Sequence, residues 1–193
     1  MLIFLKLLSL FIFVCSLEYE YRNFNDLETL LQSYATKFPQ NAYLYSIGKS
    51  VKGRNLWVLA LAKSKPDKHI ELRPETKLIG LMHSNEAPTK EILFSFIDYV
   101  LNNQNDPQVE NLLNNMRVHV LVAMNPDMIE KAIEGNCSSL IGRNNSNNID
   151  LNRNFPDLFE PVYDEIQPET VSVIEWAEKE TFVLGINFHT GAL

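Results

Sequence analysis

This sequence has fewer basic than acidic residues, which argues against nucleic acid and anionic membranes as partners. The 193 residues include 17 lysines and arginines against 24 aspartates and glutamates, which gives a formal net charge of -7 at pH 7. Such a chain lacks the basic surface that attracts nucleic acid or an anionic membrane, so neither is expected as a partner. Cationic substrates are compatible with this acidic balance.

Low-complexity segments, internal repeats and interdomain linkers are also absent from the sequence. Hydrophobic residues make up 46% and charged residues 21% of the chain, which is ordinary globular composition and excludes a disordered or fibrous protein. Helix and strand patterns alternate, which predicts an α/β fold. Helices are expected at 24–39, 89–103 and 168–179, and strands at 42–50, 55–63, 77–82, within 117–127 and at 181–188.

The N-terminus, MLIFLKLLSLFIFVCSLEYE, is an apolar run with one lysine that becomes acidic after Ser16. This pattern is typical of a secretory signal peptide, and we predict one at residues 1–16. The run is short for a membrane span, although its low positive charge keeps an uncleaved anchor as the alternative. We expect no transmembrane span after the signal peptide and a location in the secretory pathway or the extracellular space.

Two covalent features depend on this secretory route. Removal of residues 1–16 takes away one of the two cysteines and leaves Cys137 alone. Its thiol then pairs beyond Leu193 or stays buried and free. Two glycosylation sequons, Asn136-Cys137-Ser138 and Asn144-Asn145-Ser146, lie in an asparagine-rich stretch where such tripeptides also arise by chance.

Histidines follow two of the predicted strands. The strand KLIGLM is followed by His83 in the stretch HSNE, and TFVLGINF, expected to be a buried strand, is followed by His189. Alone, His83 and Glu86 fit equally well a surface histidine and a first-turn glutamate. With His189 they form a two-histidine, one-glutamate set that suits a catalytic zinc ion with one open position. The other histidines, His69 in a polar loop and His119 within a strand, are predicted to be structural or solvated.

A second group of polar residues lies in GRNNSNNIDLNRNFPD, residues 142–157. Asparagine and glycine are turn formers, so a solvated loop is one interpretation. The alternative is a binding site, because the guanidinium groups of Arg143 and Arg153 can grip a carboxylate in two places and Asn152 adds donors. Facing a zinc ion, these residues would suit a substrate whose scissile bond lies next to a free carboxylate, as at the C-terminus of a peptide.

These motifs resemble those of the zinc metallocarboxypeptidases, in particular the branch of carboxypeptidases E, D, M and N. The similar segments are YSIGKSVKGRNLWVLAL, HSNEAPTKEILF, MNPDMIEKAIEGNC, GRNNSNNIDLNRNFPD and FVLGINFHTGAL, in this order. The resemblance implies a mixed central β-sheet flanked by helices. It also implies that residues 17–193 are the first part of a catalytic domain, incomplete at its C-terminus.

The resemblance further implies roles for individual residues. One zinc ion per catalytic domain is bound by His83, Glu86 and His189. The terminal carboxylate of a peptide or protein is held by Asn152 and Arg153. Arg143 also binds the substrate and acts in catalysis by polarising the scissile carbonyl and stabilising the oxyanion. The implied reaction is hydrolysis of the last peptide bond, with C-terminal lysine or arginine as the preferred residue.

The chain departs from the family pattern at several positions. Ser84 and Thr190 replace glycines beside ligands, Met128 replaces a glycine, and SNN at 146–148 replaces a smaller turn. The two hydroxyls are expected either to crowd the site or to support the ligands. In the family the general-base glutamate follows the third ligand, so the 193 residues alone are expected to be inactive.

Two other functions are compatible with the same motifs. A zinc deacylase related to aspartoacylase or succinylglutamate desuccinylase also uses His-x-x-Glu with a later histidine, and would act on small acyl amino acids. A secreted, non-catalytic binding protein on the same fold would use the site without hydrolysis.

Overall fold

The computed structural model describes residues 20–136, 138–157, 159 and 165–191. The predicted signal peptide at residues 1–16 and Cys137 lie outside the described residues.

A five-stranded mixed sheet forms the centre of the fold, as the family resemblance implies. The spatial order is β1-β2-β4-β3-β5. Strands β1 and β2 are antiparallel, β2 and β4 are antiparallel, and β3 runs parallel to both β4 and β5. The strands are β1 (Ala42–Lys49), β2 (Asn55–Leu61), β3 (Glu75–Ile79), β4 (Arg117–Leu121) and β5 (Phe182–Asn187).

Among the described residues, four α-helices cover the sheet, three of them where the sequence pattern predicts them. Asn23 caps the first helix by accepting hydrogen bonds from the Asn25 and Asp26 backbone amides, as an N-cap residue should. The third helix was not predicted, because nine residues hold too few turns for a clear periodic pattern. The helices are α1 (Phe24–Lys37), α2 (Pro88–Asn102), α3 (Pro107–Asn115) and α4 (Pro168–Lys179), with short 3-10 turns at Pro126–Met128 and Leu151–Arg153.

Apolar side chains pack on both faces of the sheet. On one face, residues of α1, α2 and α3 such as Leu31, Phe94 and Leu113 form the larger core with β2 and β4. On the other face, Val173 and Trp176 of α4 pack against the remaining side chains of these strands. None of the helices in the described part of the chain has the length and apolar composition that crossing a bilayer requires.

Strand β3 ends earlier than its apolar sequence suggests. The run KLIGLM predicts a strand to residue 82, but the ladder stops at Ile79. Leu81 adopts a positive φ of 43°, which an extended strand does not permit. Residues 80–82 remain buried or nearly so, and they lead the chain from the sheet into the turn that holds His83.

Strand β5 lies at the edge of the sheet, and the prediction that it is buried is wrong. Val183 is 69%, Leu184 52% and Ile186 43% exposed. Its only neighbouring strand among the described residues is β3. The apolar, β-branched composition correctly predicts a strand, but it cannot indicate how many other elements cover it.

Candidate metal and substrate site

His83 and Glu86 lie in a tight turn between β3 and α2. The Glu86 backbone amide donates a hydrogen bond to the His83 carbonyl at 3.1 Å, which brings residues i and i+3 to the same side. The carboxylate therefore reaches the imidazole, with Glu86 Oε1 2.9 Å from His83 Nδ1. Glu86 precedes the first residue of α2, Pro88, so it is not a first-turn residue of that helix.

His189 joins them because β3 and β5 are parallel neighbours. The carboxyl ends of parallel strands lie at one edge of a sheet, where α/β proteins bind ligands. Glu86 Oε2 is 3.0 Å from His189 Nδ1, and the two imidazole centroids are 5.0 Å apart. One ligand atom from each of the three residues lies within 4.8 Å of the others. The structure thus brings together the residues that the sequence predicts as a zinc site.

The three side chains differ in their access to solvent. The His83 side chain is 2% exposed and that of Glu86 11%, whereas that of His189 is 33% exposed. One side of the cluster is thus anchored in the protein and the other faces solvent. A bound ion would be held from the protein side and approached from the open side.

Asp150 connects this cluster to the arginine and asparagine loop. Its Oδ1 lies 2.9 Å from His83 Nε2, and its Oδ2 accepts a hydrogen bond from Arg143 at 2.6 Å. Burial acts to raise the pKa of Asp150, but hydrogen bonds from His83, the Asn152 backbone amide and Arg143 outweigh it and lower the pKa. The carboxyl group therefore stays charged and serves as a fixed acceptor.

The donor set fits zinc. Both ring nitrogens of His83 face carboxylate oxygens, Nδ1 towards Glu86 and Nε2 towards Asp150. A metal ion between Nδ1 and Glu86 would satisfy both the ring nitrogen and the carboxylate. When the Nε2–H group donates a hydrogen bond to Asp150, the Nδ1 lone pair is available as a ligand, which is the usual arrangement of a metal-binding histidine with a carboxylate partner.

The predicted substrate-binding residues occupy the loop around Asp150. Arg143 is half-buried and binds Asp150, which in turn contacts His83 of the cluster. Asn152 and Arg153 lie in the 3-10 turn Leu151–Arg153 and are exposed. An Arg153 guanidinium nitrogen donates to the Asn152 carbonyl at 2.9 Å, and no hydrogen bond joins either side chain to the cluster in the described ranges.

At the first of the two substituted glycine positions beside ligands, the side chain is bonded away from the cluster. Ser84 is buried, and its hydroxyl donates to the Asn125 carbonyl instead of pointing at the ligands. The Thr190 backbone amide donates to Glu86 Oε2 at 2.9 Å, an interaction that a glycine would also provide.

The remaining histidines belong to a buried polar network at the opposite end of the parallel strands. His119 Nε2 lies 2.8 Å from Glu75 Oε2, and its Nδ1 lies 2.6 Å from the Tyr45 hydroxyl. His69 Nδ1 lies 2.7 Å from the other Glu75 oxygen. Arg117 donates to Glu75 at 3.0 Å and therefore already supplies the cation that this carboxylate needs.

Asp150 is the residue of the site that sequence reasoning missed. It lies in the motif that contains Asn152, but its contact with His83 spans 67 residues of sequence. The available indication was chemical, since a metal-binding histidine needs an acceptor for its second nitrogen. Several acidic residues could have served that role, and only the fold selects one of them.

Comparison with known proteins decides the family. The model of the family described as zinc carboxypeptidase matches residues 27–193. The chain belongs to the zinc carboxypeptidase family. Its members are hydrolases that act on peptide bonds, so the acyl amino acid hydrolases lose support as an alternative.

Several zinc carboxypeptidases are similar in sequence over almost all of this chain. Human carboxypeptidase D is 45% identical over 91% of the chain and 13% of its own length. Mouse carboxypeptidase M is 42% identical over 93% of the chain and 41% of its own length. The human carboxypeptidase N catalytic chain is 35% identical over 99% of the chain and 47% of its own length. The chain thus spans less than half the length of these relatives.

Solved zinc carboxypeptidase structures share the fold. Carboxypeptidase A from Helicoverpa armigera superposes with a TM-score of 0.73 at 19% identity, covering 90% of this chain and 47% of its own. Thrombin activatable fibrinolysis inhibitor gives a TM-score of 0.70 at 17% identity, covering 89% of this chain and 47% of its own. At this level of identity the similarity establishes the architecture, a mixed sheet flanked by helices.

Proposed function

We propose that the protein containing this chain is a zinc-dependent metallocarboxypeptidase that removes the C-terminal residue of peptides and proteins in the secretory pathway or the extracellular space. Residues 1–16 are its signal peptide, and residues 17–193 form part of its catalytic domain. The observation that carries the proposal is the convergence of His83, Glu86 and His189 within 4.8 Å at the carboxyl ends of two parallel strands. Membership of the zinc carboxypeptidase family supports it.

The metal-binding part of the proposal assigns one zinc ion to His83, Glu86 and His189. When bound, the ion would polarise the scissile carbonyl and acidify a water molecule. Asp150 orients His83 by accepting a hydrogen bond from its Nε2, and the Thr190 amide donates a hydrogen bond to one oxygen of Glu86. The chain itself therefore fixes two of the three ligands before any ion binds.

The substrate-binding part concerns Arg143, Asn152 and Arg153. Arg143 is held by Asp150, so its guanidinium group is positioned beside the ligand cluster and can stabilise negative charge that develops on the carbonyl oxygen. Asn152 and Arg153 are exposed on the adjoining turn and can receive a terminal carboxylate from solvent. A preference for C-terminal lysine or arginine is part of the proposal and rests on the family resemblance alone.

Among the described residues, no free carboxylate contacts the cluster to serve as the general base. Glu86 and Asp150 are the carboxylates that contact the cluster within the described residues, and both are already engaged. The 193 residues alone are therefore expected to bind zinc without hydrolysing peptides. The same observation favours, as a second candidate, a secreted non-catalytic protein that binds peptide C-termini at this site.

Replacement of a ligand histidine tests the metal assignment. We expect His83→Ala and His189→Ala to lose zinc, because two remaining ligands cannot hold the ion against competition from solvent and chelators. Metal content after purification, measured by inductively coupled plasma mass spectrometry, is the readout. His69→Ala is the matched control, since its side chain is half-exposed and lies outside the cluster. Stoichiometric zinc in both ligand variants would contradict the site.

Substitution of Arg153 tests the carboxylate clamp in the full-length protein. Arg153→Ala should lower kcat/KM for peptides with a free C-terminus by about 1.5 to 3 kcal/mol, the range for a hydrogen bond to a charged group, because the terminal carboxylate loses a two-point partner. Peptides with an amidated C-terminus should already be poor substrates of the unmodified enzyme. Arg73→Ala provides a control arginine in a distant loop. Equal hydrolysis of free and amidated peptides would exclude the clamp.

A further inference from the structure

We propose that Asn145, Gln167 and Glu169 are positioning residues, which hold the loop that carries Asn152 and Arg153 in the geometry needed to receive a peptide carboxylate. The inference rests on the proposed function, because it concerns how that carboxylate is met. In the described ranges the Asn152 and Arg153 side chains form no hydrogen bond to the metal-ligand cluster. Their position relative to the cluster therefore depends on how the loop itself is held.

Asn145 organises the first part of this loop from within. Its side chain is buried, and its Oδ1 accepts hydrogen bonds from the Asn147 and Ile149 backbone amides, both at 3.0 Å. These two bonds close the turn that leads directly into Asp150, the carboxylate partner of His83. An asparagine side chain also carries two N–H donors, so the same residue can bind a second element of the fold through its Nδ2.

The Nδ2 of Asn145 binds two acceptors outside the loop. It donates to Gln167 Oε1 at 3.0 Å and to Glu169 Oε2 at 3.2 Å. Both acceptor residues are buried, and the Glu169 side chain uses its other oxygen to accept from the Val51 backbone amide at 3.0 Å, in the turn between β1 and β2. Hydrogen bonds to a charged acceptor are stronger than neutral ones, so Glu169 fixes the loop firmly to the sheet.

A second buried asparagine holds the other end of the loop. Asn154 directly follows Arg153, and its Oδ1 accepts a hydrogen bond from the Gln167 backbone amide at 2.8 Å. Its Nδ2 donates to the Glu165 carbonyl at 3.1 Å. Asn152 and Arg153 thus lie between two asparagines that are bound to the same short segment of the chain.

That segment is itself fixed by the start of α4. Gln167 is the N-cap residue of this helix, and Glu169 lies in its first turn. The helix packs directly on β1, because a side chain added at Gly48 would lie 2.1 Å from the Ser172 hydroxyl oxygen. The loop therefore takes its position from the core of the fold. Such support matters for catalysis, since a misplacement of about 1 Å in a group that orients substrate can cost about 100-fold in rate.

Exchange of donor and acceptor between Asn145 and Glu169 tests the proposal in the zinc-loaded full-length protein. Asn145→Asp keeps the acceptor of the turn amides but removes the donor, so the ratio of kcat/KM for free over amidated peptides should fall by about 10- to 100-fold. Asn145→Asp combined with Glu169→Gln places a donor opposite an acceptor again at unchanged net charge, and should recover most of the ratio. Asn115→Asp, the same change at an exposed asparagine of α3, is the control.

The ratio separates positioning from a merely structural role, which would lower the amount of folded enzyme and reduce hydrolysis of both peptides equally. An unchanged ratio, or no recovery in the double variant, overturns the inference. Glu169→Gln alone sets two amides against each other without burying a new charge and should also lower the ratio, so it decides the result if Asn145→Asp does not fold. Equal cleavage of free and amidated peptides by the unmodified enzyme would contradict the proposed function and this inference together, whereas a selective enzyme with unchanged variants contradicts the inference alone.

Discussion

At the scale of single residues, sequence spacing predicts one contact of the site, that of His83 with Glu86. The contacts of the other site residues depend on the tertiary structure. The i, i+3 spacing of His83 and Glu86 predicts their contact, since a turn brings such residues together. The position of His189 follows from its place after a strand. Asp150 could not be predicted, because its contact with His83 depends on how a distant loop folds back over the turn.

Asp150 leads to a prediction about metal affinity. Asp150→Ala should weaken zinc binding by roughly 10- to 100-fold, because His83 loses the carboxylate that orients its ring and raises its basicity. Competition with a chromophoric chelator measures the affinity directly. Asp67→Ala is the control, an exposed aspartate in a loop away from the cluster. Unchanged affinity in Asp150→Ala would show that the hydrogen bond does not support the ligand.

At the scale of elements, the pattern of the sequence predicts the regular segments except the short helix α3, but it does not predict where each one ends. The two strands predicted at 42–50 and 55–63 are confirmed as the antiparallel pair β1 and β2, with Gly53 at a positive φ of 80° in the turn VKGR that joins them. The end of β3 was misplaced because Leu81 is as apolar as a strand residue but adopts a left-handed conformation. Burial of a segment and pairing of its backbone are separate properties, and composition reports mainly the first.

A buried network of Glu75, Arg117 and His119 lies at the start of β3 and β4. We predict that this network makes the protein less stable in acid. Burial, and then the charge of Arg117, lower the pKa of His119 to about 4. Burial acts to raise the pKa of Glu75, but hydrogen bonds from His119 and His69 and the charge of Arg117 outweigh it and lower the pKa. Both groups therefore bind protons more readily in the unfolded chain.

The free energy of unfolding should fall as the pH drops from about 6.5, the usual pKa of histidine, towards the lowered pKa of His119. The pKa shift corresponds to a loss of about 3 kcal/mol from His119 alone, and Glu75 adds a further loss at lower pH. Urea unfolding at pH 7.5, 5.5 and 4.5, monitored by circular dichroism, measures the free energy of unfolding at each pH. His119→Gln should flatten the pH dependence, whereas His69→Gln should largely keep it. An equally steep dependence in His119→Gln would assign the acid sensitivity to other groups.

At the scale of the whole molecule, the two edge strands of the described sheet differ in how far other elements cover them. Strand β1 packs against α1 and α4, whereas β5 exposes Val183, Leu184 and Ile186 at the opposite edge. Free backbone groups beside apolar side chains at a sheet edge favour pairing with another strand. Strand β5, which precedes His189, therefore has exposed apolar side chains and one neighbouring strand among the described residues.

In the part of the chain that the structure describes, β5 forms an open edge and the carboxylates at the cluster are engaged, which leads to a prediction for the polypeptide of residues 17–193. It should bind zinc, associate with itself at micromolar concentration, and show no zinc-dependent release of lysine or arginine from peptides that end in these residues. Association follows from the exposed strand, and inactivity follows because Glu86 and Asp150 are both engaged by histidines.

A polypeptide extended at its C-terminus to the length of the relatives should remain monomeric and hydrolyse the same peptides. Light scattering and a fluorogenic peptide assay on both polypeptides give the two readouts, and His189→Ala in the extended one sets the zinc-independent background. Turnover by residues 17–193 at a rate near that of the extended polypeptide would mean that the general base lies among these residues.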